Sequence, residues 1–297
     1  MTAPWVRTAE FDAFGPWVLQ VTTAHEVPPL FQPHADLTGT RLVVKVPRPI
    51  ERRDARPDMD LYDHLVLTRE DGVEILTRGH QGGVLRTALA ASDLLALENS
   101  VALLAGRLTL HTRTSAPVEI AYNGSSAALV DTLVADVRRM WRPGSAAEPA
   151  VNAPPRRGSL GPADQDLVAR VRDLTAADPA LRPLWLRRRT TAPPRDTVLA
   201  GLIDQVFPAD LHASVVCATE SELVVVHRRD GLARRSMPAH SIATTVAPLG
   251  RGLHAERSED PHRPGVVRLR LAPTSVSFLV TDDDGVEAAV RAVIAGR

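Results

Sequence analysis

Two stretches of this chain repeat one order of elements, and that repeat limits what the chain can fold into. In residues 85–141, Leu108 and Leu110 alternate with Thr109 and His111, and Val118, Ile120 and Tyr122 continue the alternation. A period of two is that of a strand with one buried face. Asn123-Gly124 then turns the chain, with Ser125 or Ser126 placed to cap a helix. In that helix Leu129, Val130, Leu133, Val134, Val137, Met140 and Trp141 fall on one stripe. Asp131 stands near its start and Arg138 and Arg139 near its end, as the helix dipole favours. Near the end of the chain, Val267, Leu269 and Leu271 alternate with Arg268 and Arg270, and Val276, Phe278 and Val280 form another strand. Asp282, Asp283 and Asp284 open a second helix, in which Val286, Ala289, Val290, Val293 and Ile294 recur at helical spacing. Upstream, LVLTREDGVEILTR matches LVVVHRRDGLARRS, and SDLLALENS matches HSIATTVAP. Identities are few, so the order of elements carries the match.

In this order the chain resembles the bacterial PH-like domains, over about residues 40–141 and 198–297. The resemblance implies an α+β fold class: two PH-like modules, each a bent antiparallel sheet or partly open barrel closed by a C-terminal amphipathic helix. One-faced strands must bury their apolar side, and one apolar-striped helix can close the open end of such a layer. Val137 and Val290 are then equivalent buried residues. The expected division is a first PH-like domain with an aromatic N-terminal arm at 1–143, a Pro/Ala-rich linker at 144–162, and a second PH-like domain at 163–297. A short helix around Leu167, Val168, Val171 and Leu174 and an Arg-rich segment precede the second module.

Within the modules, Asp71-Gly72 between HLVLTRE and VEILTR is the best hairpin signal. HASVVCAT and ELVVVHRR form a second hairpin, and GLHAERSEDPHRPG reads as a polar loop. GHQGG lacks the Lys-Ser/Thr and the helix that a phosphate cradle needs. Lys45 is the only lysine among 35 basic residues, a bias that, with abundant Ala, Val and Pro, reflects genome base composition. The net charge of zero argues against specific nucleic-acid binding, which rests on a basic face. Single Cys217 cannot form an internal disulfide and reads as a small buried hydrophobe. No apolar run reaches the ~20 residues of a transmembrane helix, and the first residues lack a secretion signal, so the expected location is cytoplasmic.

No catalytic motif or cofactor site stands out. His254, Asp260 and His262 are the densest potential ligands, without metal-site spacing. Three functional classes remain. The first is a non-catalytic intracellular adaptor that binds a protein or peptide partner by strand addition or in a strand–helix groove. Phe11, Phe14, Trp17 and Phe31, in the aromatic-richest part of a chain with only 4% aromatics, are the candidate contacts. The second is weak attachment to anionic membrane or phosphorylated ligands through Arg187, Arg188, Arg189, Arg228, Arg229, Arg234 and Arg235. The third is an enzyme with a dispersed site. Ser159, after Arg156-Arg157-Gly158, is a candidate phosphorylation site.

Overall fold

The computed structural model describes residues 8–80, 82–113, 116–141, 158–235, 240–282 and 285–295. It is an α+β protein of antiparallel sheets with few helices, and no sheet closes into a barrel among the described residues. The chain divides into two compact units. One holds Met1–Leu94, Leu104–Thr109 and Val118–Pro143; the other holds Leu95–Leu103, Leu110–Pro117 and Gly144–Arg297.

The first unit opens with a five-residue helix α1 (Ala9–Ala13) and a five-stranded sheet in sequence order: β1 (Leu19–Gln20), β2 (Leu42–Pro47), β3 (Tyr62–Thr68), β4 (Gly72–Arg78) and β5 (Val84–Ala90). The Asp71-Gly72 hairpin forms as read from the sequence. Gly72 is required there, because a Cβ would lie 2.4 Å from the Leu89 carbonyl oxygen on β5. β6 (Leu94–Ala102) carries the chain into the second unit, β7 (Ala105–Thr112) crosses the division, and β8 (Val118–Asn123) returns to the first. Helix α2 (Ala127–Trp141) follows, with Val130, Leu133, Val134, Val137 and Trp141 buried against β3 and β4. The cap differs from the expected serine. The Asn123 side chain accepts from the Ser125 N–H at 3.0 Å, while Ser126 Oγ accepts from the Val18 N–H at 2.9 Å and fastens the N-terminal arm.

The second unit adds α3 (Gln165–Ala177), β9 (Arg182–Arg187), β10 (Thr190–Thr191), α4 (Val198–Val206), β11 (Ala209–Leu211), β12 (Ser214–Ala218), β13 (Glu222–His227), β14 (Leu232–Arg234), β15 (Ser241–Pro248), β16 (His254–Glu259), β17 (Val266–Ala272), β18 (Ser277–Thr281) and α5 (Val286–Ala295). Its main sheet runs β6-β15-β13-β12-β9, beside two three-stranded sheets, β10-β11-β14 and β16-β17-β18. α5 buries Val286 and Val290 in a core shared with Val216, Leu223, Val225, Leu269, Leu271 and Phe278. Of the three aspartates read as caps, Asp283 and Asp284 lie outside the described residues, as does most of the expected linker.

Two differences from the sequence reading matter. The segment GLHAERSEDPHRPG is not all loop: His254–Glu259 pairs with β17, and its polar side chains serve the exposed face, where Glu256 pairs with Arg270 and Arg257 with Asp282 at 2.5 Å. More consequential, β6 and β15, the two segments aligned as repeats of each other, are hydrogen-bonded neighbours. They run antiparallel from Leu97↔Val246 to Ala102↔Ser241. Equivalent elements meeting antiparallel is the geometry of an isologous contact, here made within one chain, so the two repeats do not keep separate sheets.

Candidate functional site

Among the described residues the largest exposed apolar feature is α4. Pro193 and Pro194 precede it and Pro208 follows, which fixes where the helix can begin and end. Its apolar residues, at positions 198, 199, 202, 203 and 206, make a helical stripe of the kind that normally faces a core. Here it faces out. Val198 is 83% exposed and Val206 69%, and Leu199, Leu202, Ile203 and the following Phe207 are exposed as well. The only buried residue of the helix is Asp204.

Asp204 explains the orientation. Its carboxylate accepts from the Arg195 backbone N–H at 2.9 Å and from the Arg195 guanidinium at 3.1 Å through both oxygens, and pairs with Arg263 at 3.1 Å. The Arg195 hydrogen bonds hold its carboxyl down at about 2. Gly201 lets the helix lie close on this clamp, since a Cβ there would meet the Arg195 carbonyl oxygen at 3.0 Å. Each Val, Leu, Ile or Phe left in water forgoes roughly 1.5–3 kcal/mol. Removing one partner of a buried ion pair costs roughly 3–5 kcal/mol. The clamp fixes which face of α4 turns inward, and covering the stripe left outside would stabilise the helix further. A cation borders the end of the stripe: Arg234 lies 5.9 Å from the Phe207 ring centroid.

The residues singled out from sequence divide sharply. Phe14 and Phe31 are core residues of the first unit, with Val27, Leu61 and Tyr62, and cannot serve as a surface. Phe11 is half-buried under the Arg52 guanidinium, 4.0 Å from its ring centroid, and only Trp17 is exposed. The arginines are not a free anion-binding patch. Arg228 is fully buried and donates to Asp164 at 2.8 Å, Asp166 at 2.5 Å and the carbonyls of Ser241 and Ala163. Arg187 is buried, donating to the carbonyls of Leu279 at 2.6 Å and His212 at 2.5 Å. Arg189 forks onto Asp164, Arg188 donates to the Ser159 carbonyl, and Arg229 bonds Ser100. The Ser159 hydroxyl, the candidate phosphorylation site, is buried.

Cys217 is buried in β12, where desolvation pushes its thiol up to about 12 and makes it inert. His227 Nδ1 lies 2.7 Å from the Arg228 carbonyl and so carries the proton, and Nε2 accepts from the Thr245 hydroxyl at 3.0 Å. Thr245 has no exposed surface, so this pair closes the core and offers no reachable nucleophile. Among the described residues no three His, Cys, Asp or Glu side chains are placed to hold a metal ion, and no helix is long and apolar enough to cross a membrane.

By fold, this is an α+β protein of antiparallel sheets carrying an outward-facing apolar helix. No family model, curated protein or solved structure matches the chain. Sequence reasoning passed over α4 although its stripe is plain in VLAGLIDQVF, because the same pattern is what a buried helix shows. The signal that distinguishes it, Asp204 opposite the stripe with arginines at 195 and 263 to hold it, needs the fold to be seen.

Proposed function

We propose that this is a non-catalytic intracellular adaptor whose α4 docks into an apolar, acidic-rimmed groove of a protein partner. The observation that carries the reading is that α4 buries its aspartate and exposes its stripe. Helix-in-groove recognition uses anchors at this spacing. Arg234, beside Phe207 at the end of the stripe, complements an acidic side chain of such a groove and favours encounter with it. The PH-like reading belongs to the same proposal. In its support, four strands (β2–β5), three strands (β6–β8) and a closing helix follow in order in the first repeat, and β16–β18 and α5 end the second. Val137 and Val290 are both buried. The membrane reading is weaker, because Arg189 and Arg228 are engaged by Asp164 and Asp166, Arg235 by Asp210 and Arg187 by backbone carbonyls.

A photo-crosslinking amino acid at position 202 or 206, with a control at Asp173 on α3, tests this in cells. A discrete heterologous adduct from the α4 positions alone, lost with Leu199→Asp, is expected. Adducts only to a second copy of the chain, or sedimentation with phosphatidylglycerol vesicles that Leu202→Asp abolishes, would replace the protein-groove reading.

A further inference from the structure

The first unit contains a buried cation with few partners. Lys45, the only lysine in the chain, stands on β2 and is 7% exposed. Its ammonium donates to the Glu26 carbonyl at 2.7 Å and lies 4.9 Å from the centroid of the Tyr62 ring. An ammonium has three donors, and no carboxylate lies within ion-pair distance of this one among the described residues. Tyr62 is 1% exposed, and its hydroxyl, buried, has no hydrogen-bond partner. Glu10 on α1 sits near both groups without bonding either. Its carboxyl is pushed up to about 7 by burial, against the attraction of Lys45, and Tyr62 rises to about 12, first by burial and then by the nearby Glu10 charge. Burial also lowers Lys45. No side chain of α1 is fully buried; the helix is held by Phe11, which packs partly on the core under the Arg52 guanidinium. Tyr62 shares an apolar core cluster with Phe14, Val27 and Phe31, and Val27 also lines a half-open recess of about 260 Å³ with Ala24, His25, Gln32, Ala35 and Leu37.

We propose that Lys45 and the Tyr62 hydroxyl form a closed carboxylate-binding site, with Glu10 as its resident competitor. Two unused donors of different kinds beside this apolar cluster fit an anion with two acceptor oxygens and a short apolar tail. An arginine would need five acceptors that the site lacks, which is why the compact ammonium suits it. The ligand is a carboxylic acid, from a small aliphatic acid or from the free C-terminus of a peptide. It enters as α1 lifts and Glu10 leaves.

Selective [15N]lysine labelling of the full chain gives one side-chain signal, a direct reporter of this ammonium. Butyrate, N-acetyl-Ala-Leu with a free C-terminus, and their amides are the probes. Saturable shifts with an acid but not its amide are expected, and which acid binds names the source. Glu10→Gln should tighten binding by about fivefold. Tyr62→Phe should weaken it by about tenfold, the worth of one hydrogen bond to a charged group, with unchanged circular dichroism in both. A signal unmoved by tens of millimolar acid in wild type and Glu10→Gln, or moved equally by acid and amide, overturns the proposal and leaves Lys45 as a fastener of the Glu26 segment.

Discussion

Lys45 in the first unit and Arg228 in the second are both cations taken out of water, and they are treated in opposite ways. Arg228 has its guanidinium satisfied by Asp164, Asp166 and two carbonyls. Burial pushes Asp164 up, but the Arg189 and Arg228 hydrogen bonds outweigh it and hold its carboxyl below the usual range. Lys45 has one carbonyl and one ring face. A buried charge is tolerated when its partners replace the water it lost. By that measure Arg228 is complete and Lys45 is not. Degree of burial alone would have ranked them together. What separates a structural ion from a candidate site is the number of bonds still to be made.

The largest test of this contrast is substitution of each cation by methionine. Arg228→Met strands Asp164 beside Arg189 and leaves Asp166 without its 2.5 Å partner, so it should cost about 3–5 kcal/mol in urea unfolding. Lys45→Met removes an ion with no carboxylate to strand, and should fall within about 1 kcal/mol of wild type. Equal losses would erase the distinction.

Neither cation was distinguishable in the sequence. Lys45 drew attention only as a compositional oddity, and Arg228 was grouped with Arg187–Arg189 as a possible surface. Alternation shows which side of a strand is apolar but not whether the other side meets water or a second layer. β13 illustrates this, with all six of its residues buried. The helices were legible because α2 and α5 bury the stripe that their sequences carry. The β6–β15 pairing was not, since nothing local in SDLLALENS records which strand lies beside it. Asp136 shows the same limit: it lies on the buried side of α2, bonded to the Thr68 hydroxyl and paired with Arg41 at 3.3 Å, and a stripe of apolar residues gives no hint of it.

The N-terminal arm and the second unit should also answer pH in opposite directions, while half-buried His64 on β3, lowered first by burial, gives the sheet of the first unit an acid-sensitive contribution of its own. Glu10 has a folded value raised from 4.5 to about 7, so its contribution is fully present below 4.5 and is lost as pH rises through 7. After allowance for its partial exposure this amounts to on the order of 1–2 kcal/mol. His212 and His227 are lowered from 6.5, both first by burial, His212 further by Arg189 and Arg228. Their contribution is present above 6.5 and is lost as pH falls below it. Fluorotryptophan spectra separate the responses, with Trp17 in the arm of the first unit and Trp185 in the second. The expected result is that mild acid loosens the Trp185 environment while mild alkali loosens the arm around Glu10. Parallel responses at both tryptophans would mean that the buried charges do not set the local stabilities.

The smallest expected effect is on α4, and its smallness is the point. α4 and α5 carry similar apolar stripes, yet Val290 is 1% exposed and Leu202 54%. Val290→Ala should cost about 2 kcal/mol, from lost burial and the cavity left behind. Leu202→Ser should stay within about 0.5 kcal/mol, as surface substitutions do, while removing an anchor of the proposed partner contact. If chemical denaturation instead gives Leu202→Ser a cost near that of Val290→Ala, the stripe is already covered in the isolated protein. The clamp at Asp204 would then be a product of packing rather than the device that turns the helix outward, and α4 would be core.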